Sequence, residues 1–292
     1  MPELTVAPAR RSHAWQAFLT AAWLGWQIES NWADPWVFAI YTLLKPLALA
    51  GILSVMYAAV ARGGFASPAF AYLFVGNAFY QYVSAVMTGM GWAVVEDRER
   101  YRMLKSVYTA PIDLRAYLLG RGAARFVTAC VSVSVTLALG VWALHLPLEP
   151  GHIEWPLLGA ALVLGIVVLG SMGLIVAGLM LVSGDQAWGL GELTAGALYV
   201  SSGAIFPLTV MPSALRACGE AIPLTYWLEL IRRALVPGAG HAFPRLATWS
   251  DAHLAVVMTG ITGVWAAAAL VVFHACGTTA RRRGLIDRTS NY

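Results

Sequence analysis

Apolar residues run through this chain in six long blocks separated by short polar stretches. The blocks fall at about Trp36–Val60, Pro68–Val95, Ala124–Leu146, Pro156–Val182, Ala187–Ile205 and Leu254–Cys276. Each holds close to the 20 or so helical residues that cross a hydrocarbon layer of roughly 30 Å. The pattern predicts an all-α integral membrane protein with six transmembrane helices in a single transmembrane domain over 1–292. No polar stretch is long enough to fold as a domain of its own.

Between the blocks the pattern adds finer elements. Residues 13–30 are too polar to span, yet Trp15, Phe18, Leu19, Ala22 and Trp26 recur at helical spacing opposite Gln16, Thr20 and Gln27. This predicts an amphipathic helix lying in the membrane interface. Asp34-Pro35 then supplies a cap and a first-turn proline for the first span. The third block reaches back to Asp113, and residues 112–146 would extend roughly 50 Å as a helix, longer than the bilayer is thick. Its first turns, with Arg115, Arg121 and Arg125, therefore form a stalk outside the hydrocarbon.

The connection between the fifth and sixth blocks is punctuated by Pro207, Pro212 and Pro223. The apolar pieces between those prolines are too short to cross. Over 206–236 they read as two short helices entering the outer leaflet as a re-entrant hairpin, or as an external loop with an interfacial helix.

Composition supports the membrane reading: 59% of residues are hydrophobic, 12% are charged, and the mean hydropathy is +0.67. Soluble domains carry about twice that charged share. The distribution of Lys and Arg then sets orientation. Arg10, Arg11, the cluster from Arg98 to Arg125 and the run Arg281–Arg283 with Arg288 all fall on one side of an even number of spans. That side is expected to be the cytosol, with both termini inside. Cys130, Cys218 and Cys276 stand isolated and read as small apolar residues. Nothing at the start resembles a cleaved signal peptide, and no nucleic-acid partner is expected.

The charged stretch from Glu96 to Pro111 interrupts two apolar spans. On a helical wheel Tyr101, Leu104 and Tyr108 form an apolar ridge. Arg98, Arg102 and Lys105 lie beside it, and Glu96 and Glu99 lie away from the basic side. Such a helix suits docking into a groove on a partner protein, or contact with anionic headgroups. A solvated basic loop fits the same residues.

This stretch resembles the coupling-helix signature of type-2 ABC exporter permeases. Arg98-Glu99 matches its Arg-Glu pair, and Leu104 and Pro111 keep its leucine-to-proline spacing. Arg102, Met103 and Lys105 stand where the family has Gly, Thr and Glu. A second stretch resembles the family's outer-side pattern: Phe206-Pro-Leu-Thr-Val-Met-Pro212, then Ala221-Ile-Pro-Leu-Thr-Tyr226 and Glu229-Leu-Ile-Arg232. The resemblance implies a half-transporter in a bacterial cell membrane. Two such chains, identical or paralogous, would pair with two separate ATPase subunits. It makes Glu96, Asp97, Arg98, Glu99, Tyr101, Arg102, Leu104, Lys105, Tyr108 and Pro111 candidates for coupling to the ATPase. Phe206, Pro207, Pro212, Pro223 and Tyr226 become outer-gate candidates. The chain has no G-x-x-x-x-G-K-[ST] phosphate loop, so ATP and Mg belong to the partner and no cofactor is expected on this chain.

A few polar residues fall inside the spans. Asn77, Tyr80 and Gln81 suit a pathway, a dimer seam or helix-to-helix hydrogen bonds. Glu192 reads as a functional carboxylate, a helix cap or the partner of a nearby base. Lys45, before Pro46, reads as snorkelling to the inner headgroups, and Glu229 pairs with Arg232 or Arg233. His152, His241, His253 and His274 are scattered without ligand spacing, and no metal site is expected. The expected cargo is an amphipathic drug-like or lipid-like molecule, with lipid-linked polysaccharide as the alternative. An ion-coupled secondary transporter working through Glu192 and Asp185 would need inverted repeats and an acid–base relay. An intramembrane enzyme would need a catalytic constellation, and the sequence shows none of these features.

Overall fold

The computed structural model describes residues 10–31, 34–60, 64–110, 112–148, 150–183, 189–236, 246 and 248–285, and among these no strand occurs. Among the described residues ten α-helices follow one another: α1 (Arg10–Ser30), α2 (Pro35–Val60), α3 (Pro68–Val95), α4 (Leu104–Thr109), α5 (Leu114–Leu144), α6 (Trp155–Ser183), α7 (Leu190–Ser201), α8 (Ser213–Glu220), α9 (Pro223–Leu235) and α10 (Asp251–Arg282). Four of them are long and apolar enough to cross a membrane: α2, α5, α6 and α10. The second block forms α3 over 28 residues, but Asn77, Gln81, Ser84 and Thr88 make it more polar than those four. The fifth block falls short of the expected span. Its described helix, α7, has 12 residues, about 18 Å at 1.5 Å each, and ends in a turn where Gly203 takes φ +75°.

Local chemistry explains the helix ends. The Ser67 hydroxyl accepts from the amide of Phe70 ahead of a first-turn proline in α3. The Asp113 carboxylate caps α5 through the Arg115 amide, and the Ser250 hydroxyl caps α10 through the His253 amide. Each supplies an acceptor to an otherwise unpaired donor of the first turn.

α3 is the central helix, buried against α5, α6 and α9. Glycines let these helices approach closely. Met90 of α3 lies where a Cβ on Gly122 of α5 would come within 2.7 Å of its sulfur, and a Cβ on Gly173 of α6 within 2.3 Å. The thioether therefore fills a hole made by two helices at once. α1 packs along the first half of α5 in a similar way: a Cβ on Gly25 would meet that of Ala124 at 2.9 Å, and one on Gly120 would meet the Phe18 carbonyl at 2.3 Å. The buried stripe of α1 is thus Ala21, Gly25 and Glu29, while Trp15, Leu19 and Trp23 point outward. Trp15 and Leu19, on the expected membrane-facing side, lie outside this packed stripe. Small residues on α1 meet small residues on α5, and close backbone approach, not side-chain size, decides which side packs.

At the far end from α4 the two short helices α8 and α9 follow the prolines as the sequence suggests, with Pro223 at the start of α9. α9 is almost wholly buried. Trp227 donates its indole N–H to the Ala161 carbonyl of α6 at 2.8 Å. The guanidinium of Arg232, 2% exposed, donates to the carbonyls of Tyr72 at 3.0 Å, Gly203 at 2.9 Å and Ala204 at 3.2 Å. Its carbon also lies 3.8 Å from the centre of the Tyr72 ring. Of the two arginines near Glu229, Arg233 is the one that pairs with it, at 3.2 Å, and Arg233 also bonds Asp251 at 2.8 Å. The Tyr72 hydroxyl closes the set on Glu229.

Gly76 lies under this guanidinium, where a Cβ would fall 2.0 Å from Nη2 of Arg232. Gly76→Ala should therefore destabilise the protein by roughly 1–3 kcal/mol, the usual cost of overpacking. Gly260→Ala, on α10 with nothing within 4 Å of a new Cβ, should leave stability unchanged or slightly higher. Thermal unfolding of the two variants in the same detergent checks the contrast.

Candidate functional site

The charged stretch after α3 is not one helix. α3 continues into a π-helical turn, Glu96–Arg100, where the amide of Tyr101 bonds the Glu96 carbonyl and that of Met103 bonds the Asp97 carbonyl, both at 2.9 Å. The chain breaks at Arg102, which takes φ 52°, before α4 runs for six residues. The wheel drawn over Glu96–Tyr108 therefore does not hold. Leu104 is buried at 1% exposure, and Tyr108 lies with its ring 5.3 Å from the guanidinium of Arg281 on α10. Asp97 and Arg98 are buried as well. The side left exposed carries Tyr101, Arg102, Lys105, Ser106 and Thr109. Pro111 lies outside the described residues.

The physical reason for the break is a buried ionic cluster shared with α5. Arg121, 5% exposed, lies 3.2 Å from Glu96 and 3.8 Å from the fully buried Asp97. The Tyr117 hydroxyl donates to Asp97 at 2.7 Å. Burial pushes the Asp97 carboxyl above its ordinary range, and Arg121 and the Tyr117 hydroxyl partly offset that. Glu99 accepts from Arg98 at 3.2 Å. Keeping both Glu96 and Asp97 on the one arginine of α5 underwinds the chain locally into the wider π-turn and turns Tyr101 outward.

Along its free side α3 presents Asn77, Tyr80, Gln81, Ser84, Thr88 and Trp92 to an open cavity of about 750 Å³. These positions are three or four apart, so they form one stripe. α2, α5 and the end of α1 bound the cavity on one side, α7 on the other, and it runs down to Glu96, Arg100 and Tyr101 at the start of the break. Asn77, Tyr80, Gln81 and Glu192, read separately from the sequence, thus line one space. Gln81 donates to Thr136 of α5 at 2.9 Å, the Tyr80 hydroxyl bonds the Ala195 carbonyl, and the Tyr199 hydroxyl donates to Asn77. The Glu192 carboxylate takes the indole N–H of Trp92 at 2.7 Å.

Several lining residues carried no signal in the sequence. Glu29 of α1 pairs with Arg125 and accepts from Thr128 at 3.0 Å, and burial raises its carboxyl above the ordinary value. A carboxylate on an otherwise bland face, 96 positions from its arginine, has no local periodicity to mark it. The five outer-gate candidates do not reach the cavity. Phe206 is exposed on the hairpin, Pro207 and Pro223 are buried, Pro212 precedes α8, and the Tyr226 hydroxyl bonds the Glu220 carbonyl at 2.8 Å.

A multi-span helical bundle with a polar cavity beside its central helix defines the class of a membrane permease. The family model of the ABC-2 type transporter matches residues 16–236, more than half of the chain, and the chain belongs to that family. No curated protein matches the chain. It is accordingly a multi-pass membrane subunit of an ABC transporter and not itself the ATPase, and permeases of this family work with an ABC ATPase partner.

Arg121→Met leaves Asp97 and Glu96 without their shared cation. Removing one partner from a buried charge set costs about 3–5 kcal/mol. The variant should lose stability on that scale, and residues 96–110 should exchange their amide hydrogens faster than in the parent protein. Hydrogen exchange read by mass spectrometry reports both effects.

Proposed function

We propose that this chain is the membrane half of an ATP-driven exporter that moves an amphipathic, drug-like or lipid-like molecule out of the cytosol or the inner leaflet. A separate ATPase subunit binds ATP and Mg and drives it. The observation that carries this reading is the cavity: a polar stripe on a central helix cannot face hydrocarbon without cost, and this one opens directly onto the turn that leads to α4. A space of this volume suits one drug-sized molecule or lipid headgroup. The aromatic lining, with Tyr80 and Tyr199 centred 4.6 Å apart, favours a sugar-bearing cargo as the second reading, because aromatic rings also pack against the faces of sugars.

The cavity is open on one side, and a second copy or a paralogue would close it, giving a dimer. The α4 end lies in the cytosol in this reading, with both termini inside. ATP-driven closure of the ATPase pair would press on α4, and the two-state bundle would turn from inward-open to outward-open. Tyr101, Arg102 and Lys105 form the contact with the ATPase, while Leu104, Asp97 and Arg98 hold that contact in place from inside. This inverts the expectation that Leu104 docks.

Three outcomes test the proposal. A neighbouring open reading frame should encode an ABC ATPase, and the chain co-expressed with it should co-purify with that protein. Tyr101→Ala combined with Lys105→Glu should keep membrane insertion but lose more than about tenfold of cargo-stimulated ATP hydrolysis, as loss of a well-packed interface anchor does. Undiminished coupling in the double variant sinks the docking assignment. Ser84→Trp, which fills the cavity beside α3, should abolish transport while the complex still assembles; transport at the parent rate would show that cargo takes another route.

A further inference from the structure

Among the described residues the cavity lining holds one cation within the helix bundle, Lys45, that no carboxylate pairs with. Three carboxylates line it, and each is engaged: Glu29 with Arg125 and Thr128, Glu96 with Arg121, and Glu192 with the Trp92 indole. Lys45 of α2 also lines it, and among the described residues no carboxylate lies within 4 Å of its ammonium and no hydrogen bond engages it. The register of α2 places it within the apolar span Thr42–Val60, three residues from its start, about 4.5 Å along the helix. The Ser132 hydroxyl donates to the Thr42 carbonyl at 3.2 Å, and Lys45 lies one turn beyond Thr42, near the level of the Gln81–Thr136 bond.

A second group points the same way. Asn77 is 4% exposed and lines the cavity; its Oδ1 is taken by Tyr199, and its Nδ2 has no acceptor. A lone ammonium and an oriented amide N–H₂ are both donors. A bound molecule that supplies acceptors and a negative charge satisfies both, whereas an apolar molecule leaves the buried Asn77 amide unpaired and a cationic one adds repulsion at Lys45. Arg100 places a second cation at the mouth of the cavity.

We infer that Lys45 is the anion-binding residue of the cavity and that the cargo carries an acidic headgroup, phosphate or carboxylate, on an apolar body. This rests on the cavity being the cargo chamber, as proposed above. Lys45 then has a role other than snorkelling: its stem lies along the apolar wall and its head meets the headgroup.

Equilibrium binding to the full chain in neutral phosphatidylcholine nanodiscs tests this, with empty discs subtracted. The probes are dodecyl phosphate, dodecyl maltoside, dodecyltrimethylammonium and inorganic phosphate. Lys45→Met should weaken dodecyl phosphate by about tenfold or more, the scale of one charge-assisted hydrogen bond. Lys45→Arg should retain the binding, and dodecyl maltoside should be unaffected by either change. Inorganic phosphate held as tightly, and through Lys45, would keep the anion site and make a free anion its ligand. Equal binding of dodecyl phosphate to the parent and to Lys45→Met overturns the inference, and so does a preference of the parent for dodecyltrimethylammonium. Should Ser84→Trp block all the amphiphiles in that case, the cargo chamber stands without its anion site. Lys45-dependent binding that survives Ser84→Trp instead removes the chamber reading, and a parent chain that binds none of the probes removes both.

Discussion

An ionised group inside an apolar bundle has no water to turn to, so its partners must be built into the protein. Two such groups organise this structure, one near each end of α3. Arg232 spends its donors on the Tyr72 carbonyl and on the carbonyls of Gly203 and Ala204. These last two belong to the turn after α7, where the chain leaves helix and its carbonyls need donors. Arg121 holds Glu96 and Asp97 at the other end. The first cluster fastens α3 to α7 and α9, and the second fastens it to α5. Between them α3 is packed on one side and free on the other, and that free side is where the cavity lies.

This arrangement explains why the polar residues of α3 can be tolerated. Asn77, Tyr80 and Gln81 each bond across to another helix, so their polar groups are oriented as well as partly satisfied. The stripe continues through Ser84, Thr88 and Trp92 to the ionic cluster. In the proposed exporter, a displacement of the break at Tyr101–Met103 would reach α3 and α5 together through Arg121, at the floor of the same cavity. The polar stripe of α3 and the turn proposed to meet the ATPase are continuous along the chain.

Much of the helix layout was legible in the sequence. The expected first, fourth and sixth spans begin within three residues of α2, α6 and α10, because apolar length, prolines and cap residues are local signals. What depended on distant partners was not. The wheel over Glu96–Tyr108 assumed 3.6 residues per turn, and the π-helical turn breaks that assumption for the sake of an arginine 25 positions beyond Glu96. The side of α1 that packs on the bundle, Ala21, Gly25 and Glu29, is set by the small residues of α5 that it meets. The paired role of Glu29 and the hole that Met90 fills also lie outside any local pattern. For the site, the sequence picked out Asn77, Tyr80, Gln81 and Glu192 as polar intruders, and only the fold could place them around one cavity.

The short α4 shows how little of the joint is intrinsic to its own residues. A helix of six residues has almost no stability alone, and Arg102 before it sits in a left-handed conformation that costs a non-glycine residue about 1–2 kcal/mol. Its shape is held from outside: Leu104 is buried, and Arg281 of α10 lies over the Tyr108 ring. A Cβ on Gly277 would stand 3.9 Å from the Tyr108 hydroxyl, so α10 passes close at that point. The family match ends at residue 236, yet the last helix, beyond that limit, contributes one of the braces. The turn after α3 and the end of α10 thus brace these six residues from outside. In the proposed exporter, a push on α4 would be passed on through those braces and not through any stiffness of α4 itself.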